Sequence, residues 1–152
     1  MVELDSGTIP HRTSAWHSSL FSVKKTISLV MFEHLSSKIS DPSMLSPTSV
    51  EKLQTLREKF PSAPEDYLTF LQEIGNGNVG GMQIYGGLIG SDFVYPSLAE
   101  RLGHIVLFGD DFQGYCFGFD TTHDYQLVEI DPSGETRFLD TPFAKFIEDY
   151  VD

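Results

Sequence analysis

The sequence predicts a single α+β domain in which an antiparallel-rich β-sheet is partly covered by helices. Three observations carry that expectation. Apolar side chains recur at helical spacing from Val50 to Ile74, short alternating runs broken by turn residues follow from Gln83 to Leu139, and a helical stripe returns from Phe143 to Val151. Strands do not alternate regularly with helices and no segment repeats, which argues against a parallel doubly wound sheet or a repeat array. At 152 residues the chain is long enough to fill one core.

Residues 1–45 read as a poorly patterned N-terminal extension and residues 46–152 as the domain. Within the extension, Lys24-Lys25 ahead of Ile27, Leu29, Val30 and Met31 looks like the start of a signal peptide. The apolar run stops at Glu33-His34 without a small-residue cleavage site, so export is not expected. It is also well short of the roughly 20 apolar residues that span a bilayer. Met31 offers a second start, under which residues 1–30 have little structural role. Ser36 to Ser49 is rich in serine and proline and reads as a linker.

Thr48 and Glu51 have capping-box spacing, and Val50, Leu53, Leu56 and Phe60 line one face of a first helix that Pro61 ends. Ser62-Ala63-Pro64-Glu65 is a second capping box. It leads into a helix with Tyr67, Leu68, Leu71 and Ile74 on its buried stripe and Gly75 at its end. Strands are expected at Gln83–Tyr85, His104–Phe108, Tyr115–Asp120, Gln126–Asp131 and Glu135–Leu139, with a short helix or helical turn over Pro96–Leu102. In Tyr115–Asp120 the residues Tyr115, Phe117 and Phe119 face one way and Cys116, Gly118 and Asp120 the other. Asp131-Pro132-Ser133-Gly134 is a type I turn signal joining the last two strands. Asp140 or Thr141 caps the closing helix, with Pro142 in its first turn and Phe143, Phe146, Ile147, Tyr150 and Val151 on its apolar face.

The net charge is −12. Arg12, Lys24 and Lys25 against Glu3 and Asp5 leave the first thirty residues at +1, so the rest of the chain carries −13. Such a surface is repelled by phosphate backbones and anionic headgroups, which disfavours nucleic-acid and membrane binding and favours a basic protein partner. The acid is concentrated late in the chain. From Leu107 to Val151, ten carboxylates are opposed only by Arg137 and Lys145. The single cysteine, Cys116, excludes an intrachain disulfide and suits a reducing, cytoplasmic location.

Catalytic motifs are weak. The run Gly75-Asn76-Gly77-Asn78-Val79-Gly80-Gly81 follows a helix, where the dipole repels phosphate, and reads as a helix-terminating turn. Asp110, Asp111, Asp120, Asp124 and Glu129 lack the spacing of a calcium loop, and His104 and His123 are too isolated for a zinc signature. Cys116 paired with either histidine is a candidate nucleophile, weighed against a packed thiol. An enzyme would require the acidic turns to bind a metal. Phe112 and Tyr115 flank a turn beside carboxylates and are candidate binding anchors.

Taken in order, several motifs resemble the SUKH superfamily. They are Pro64-x-Asp66-Tyr67-x-x-Phe70-Leu71, Asn76-Gly77, Phe108-Gly109-x-Asp111, Gly114, Phe119-Asp120, Val128-Glu129-Ile130 and Phe143-x-x-Phe146-Ile147, spread over Ser46 to Val151. Tyr115 departs from the pattern, standing where many relatives carry an acid. The resemblance implies a helix-covered sheet and a non-enzymatic role without cofactor or metal. It points to an immunity protein that binds and neutralises a cognate, basic toxin such as a nuclease or deaminase in the cytoplasm. The alternative it leaves open is a protein-interaction module like that of a fungal cell-wall-assembly regulator. The partner-binding residues expected are Asp110, Asp111, Tyr115, Asp120 and Asp124.

Overall fold

The computed structural model describes Phe32, Leu35, residues 37–39 and residues 42–151. These residues form one seven-stranded antiparallel sheet in an α+β arrangement, with the strands in sequence order from β1 to β7. β1 is Leu45–Ser46, and helices α1 (Val50–Lys59) and α2 (Glu65–Glu73) follow before β2 (Asn76–Val79) and β3 (Met82–Gly90). Two 3₁₀ turns, Ser91–Phe93 and Pro96–Leu98, lead into α3 (Ala99–Leu102). The chain then runs through β4 (Ile105–Asp110), β5 (Cys116–Asp120), β6 (Gln126–Ile130), β7 (Thr136–Phe138) and α4 (Phe143–Val151).

The larger core lies between one sheet face and α1, α2 and α4. Its centre is aromatic. Tyr67 meets Phe119 and Phe143 with ring centroids 5.4 Å apart in each case, and Phe108 meets Phe143 at 5.1 Å, all three pairs edge-to-face or nearly so. Leu53, Leu71, Ile84, Val106 and Ile147 complete it. The opposite face buries Ile105, Leu107, Cys116, Val128 and Ile130 together with Leu102 of the segment from Ser91 to Gly103. That segment is pinned by the Ser91 hydroxyl donating to the Leu102 carbonyl. Phe117 and Phe119 therefore sit in the larger core and Cys116 in the smaller one, as strict alternation along β5 requires.

Several details depart from the sequence expectation. Packing starts before Ser46, because Phe32, Leu35 and Ile39 are buried and the Phe32 ring meets Phe70 at 5.5 Å. Their spacing of three and four is that of one helix face. The run from Lys24 to Met31 lies outside the described residues. Leu45 and Ser46, expected in a linker, form an edge strand paired with Gly77 and Asn76. Only Gly75, at φ +109°, terminates α2; Asn76–Val79 is a strand paired with β1 on one side and, through the turn at Gly80-Gly81, with β3 on the other. Helix α1 is capped by Ser49, whose hydroxyl accepts from the Lys52 amide, while Thr48 is buried and its amide donates to the Leu71 carbonyl. Val50 is 70% exposed and leaves the core face to Leu53 and Leu56. The N-cap position of α2 is Pro64, without a side-chain cap. The first turn of α4 is bonded from outside its own sequence neighbourhood: Asp66 Oδ2 accepts from the Ala144 amide at 2.9 Å, and Oδ1 accepts from Tyr67.

Gly118 is needed for a close approach. A Cβ there would collide with the Val106 carbonyl, where the β4–β5 register shifts.

Candidate functional site

Two acidic regions flank β5, one at each end. At the first end, Asp110 Oδ2 accepts from the Tyr85 hydroxyl at 2.6 Å and Oδ1 accepts from the Phe112 amide at 2.9 Å. Asp111 Oδ1 accepts from the amides of Gln113 (2.8 Å) and Tyr115 (3.1 Å), closing the turn. Phe112 is held at φ +65°, an unusual conformation for a bulky residue, and is 63% exposed. Tyr115 is exposed beside it. The β6–β7 turn abuts this one, since a Cβ on Gly114 would touch Pro132. Its Asp131 carboxylate accepts from Ser133 and from the Glu135 amide, bonds that hold its pKa below the usual value. This end thus brings the turn of Asp110 and Asp111 beside that of Asp131 and Glu135, with Phe112 and Tyr115 exposed on the first.

At the other end the β5–β6 turn is built on Asp120, which is only 3% exposed. Its Oδ1 accepts from the Thr122 amide (2.9 Å) and hydroxyl (2.7 Å), and its Oδ2 lies 3.1 Å from His123 Nδ1 and 3.4 Å from His104 Nε2. Burial alone would raise the Asp120 pKa, but Thr122, His123 and His104 outweigh it and hold the carboxyl below its ordinary value. Asp124 and Tyr125 follow at φ +53° and +55°, with Asp124 exposed.

Of the five residues predicted from sequence, Asp110, Asp111 and Tyr115 share one turn, while Asp120 and Asp124 belong to the other. The two groups are separated by the length of β5, about 13 Å at strand rise. Asp120 is buried and engaged by its own turn. Phe112, picked out beside Tyr115, is exposed as expected. No periodic or turn-based signal marks Phe93, which stands 81% exposed on a 3₁₀ turn next to exposed Val94.

A cleft of about 480 Å³ opens at the β5–β6 end, between that turn and the starts of α2 and α4. Buried Phe119, Leu127 and Phe143 form its base, and Asp66, Asp124 and Asp140 contribute carboxylates.

Cys116 is buried, and its thiol pKa is pushed up by burial and by the charges of Asp110 and Asp111 against a hydrogen bond from Tyr95 that lowers it. His104 and His123 both sit at the far end of β5, on Asp120, so neither is paired with Cys116. Among the described residues, no group of three His, Cys, Asp or Glu side chains is arranged to hold a metal ion, and no helix is long and apolar enough to cross a membrane.

Compared with protein-family models, curated proteins and solved structures, the chain gives no match.

Proposed function

We propose that this protein is a non-enzymatic, SUKH-like immunity protein that binds and neutralises a basic toxin in the cytoplasm. The observation that supports the reading is the pairing of carboxylates with exposed rings on rigid turns. Asp110 and Asp111 brace the backbone that presents Phe112 and Tyr115. An aromatic anchor ringed by acid suits a basic surface, and the turn is ordered before the partner arrives, which limits the entropy lost on binding. A nuclease toxin is basic where it holds phosphate, so an acidic protein competes for the same surface. Charge complementarity would also speed capture, toward about 10⁸–10⁹ M⁻¹s⁻¹ at low salt.

The test is to co-express the chain with the product of the neighbouring gene. Survival of cells that the neighbour alone kills, with a co-purifying complex, is the expected result. Asp110→Asn, Asp111→Asn and Asp124→Asn together should then slow association and flatten its salt dependence, because asparagine keeps the turn acceptor and removes the charge. A harmless neighbour, or continued killing, would overturn the immunity reading in favour of an interaction module in a regulator.

A further inference from the structure

The cleft at the β5–β6 end is chemically distinct from the aromatic turn at the other end of β5. We propose that it receives an arginine side chain of the protein partner. That the occupant belongs to a protein rests on the binding reading above; that it is a guanidinium rests on the cleft itself.

Three features of the cleft argue for that occupant. Its base is apolar and aromatic, with Phe119 and Phe143 buried beneath it and Tyr125 on its wall, which suits the stem and planar face of a guanidinium. Its exposed rim carries Asp124 and Asp140, two carboxylates able to accept from the guanidinium fork. The two helix starts that border it, which would attract an anion, already face a carboxylate of the chain itself, because the Ala144 amide of α4 donates to Asp66 Oδ2 and the Tyr67 amide of α2 donates to Asp66 Oδ1, each at 2.9 Å. With Asp66 included, three carboxylates line a cavity to which His123 contributes the only basic side chain among the described residues, so charge complementarity selects a cation. The volume of about 480 Å³ leaves room for an extended arginine with its flanking backbone.

The experiment is a titration of the isotope-labelled full chain, followed by amide chemical shifts, with N-acetyl-arginine amide, its lysine counterpart and the neutral citrulline counterpart. The arginine probe should give saturable shifts centred on Asp124, Tyr125, Asp140 and Thr141. Citrulline should bind at least about tenfold more weakly, the equivalent of losing one charge-assisted contact. Asp124→Asn with Asp140→Asn should abolish the shifts while leaving the rest of the spectrum in place, since asparagine tolerates the left-handed backbone at Asp124. Equal binding of citrulline, equal binding of lysine, shifts centred elsewhere or no saturable shift would each overturn the assignment. The two readings fail separately. Arginine binding in the cleft without rescue from a neighbouring toxin would remove the immunity reading alone. Rescue and complex affinity unchanged by the Asp124→Asn, Asp140→Asn pair would remove the cleft as an anchor and leave the immunity reading standing.

Discussion

Replacing Asp120 with alanine separates an acid that builds the fold from one that meets a partner. The carboxylate is buried and accepts from the Thr122 amide and hydroxyl at 2.9 and 2.7 Å, with His123 Nδ1 at 3.1 Å. Hydrogen bonds to a charged group contribute about 1.5–3 kcal/mol each. Thr122 and His123 are exposed and regain water once the carboxylate is gone, so the full sum is not lost. A destabilisation of about 2–4 kcal/mol is expected, which at a urea slope of about 2 kcal/mol/M lowers the unfolding midpoint by roughly 1–2 M. The effect depends on pH in a definite direction. Because the folded pKa lies below the ordinary 3.8, the carboxylate stabilises the fold fully above that value and loses its contribution as pH falls through the folded pKa. The difference between wild type and Asp120→Ala should therefore hold from neutral pH down to about pH 5 and shrink below 3.8. A loss under about 0.5 kcal/mol at neutral pH, the range of ordinary surface substitutions, would refute the structural role.

Other perturbations test the core and the caps. The Tyr67 hydroxyl is buried without a hydrogen-bond partner among the described residues, so Tyr67→Phe should stabilise the protein by about 1 kcal/mol and raise Tm by a few degrees in a thermal melt. A clear loss of stability would mean that the hydroxyl is solvated or bonded. Asp66→Ala should cost about 1–2 kcal/mol in urea unfolding, because it removes the bonds to the Ala144 and Tyr67 amides, and Asp66→Asn should recover part of it. Cys116 is expected to react with an aromatic disulfide reagent about a hundredfold more slowly than the unfolded chain, given its burial and raised pKa. Labelling at the unfolded rate would show the thiol to be accessible.

What was legible in the sequence follows from whether a local rule decides the outcome. Alternation along Tyr115–Asp120 placed Phe117 and Phe119 opposite Cys116 because a strand has no other way to distribute its side chains. The turn at Asp131–Gly134 was legible for a similar reason: the Asp131 carbonyl accepts from the Gly134 amide as the residue types demand. Asn76–Val79 was not, since Asn-Gly-Asn has little strand preference and becomes a strand through pairing with Met82–Ile84 on one side and Leu45–Ser46 on the other. Phe32, Leu35 and Ile39 carried a readable helical spacing, obscured by the serines around them. The bond from Asp66 to α4 joins residues far apart in sequence, where capping rules are silent. The acids themselves were legible as a surplus, but which of them are available to a partner depended on what their oxygens already hold.

The meander explains why acids adjacent in sequence cannot be treated as one surface. Successive turns of an antiparallel sheet emerge at alternate ends, so Asp110, Asp111, Asp131 and Glu135 gather at one pole while Asp120, Asp124 and Asp140 gather at the other. A separation of about 13 Å along β5 exceeds the Debye length of roughly 8 Å at physiological ionic strength, so the two poles would act largely independently on the proposed basic partner. Groups this far apart without shared contacts also contribute additively. Charge removal by Asp110→Asn with Asp111→Asn and by Asp124→Asn with Asp140→Asn should therefore lower affinity for a basic partner by amounts that sum in the quadruple variant to within about 0.5 kcal/mol. A marked excess or shortfall in the quadruple variant would mean that one basic group of the partner bridges both poles, or that the sheet transmits a change from one end to the other.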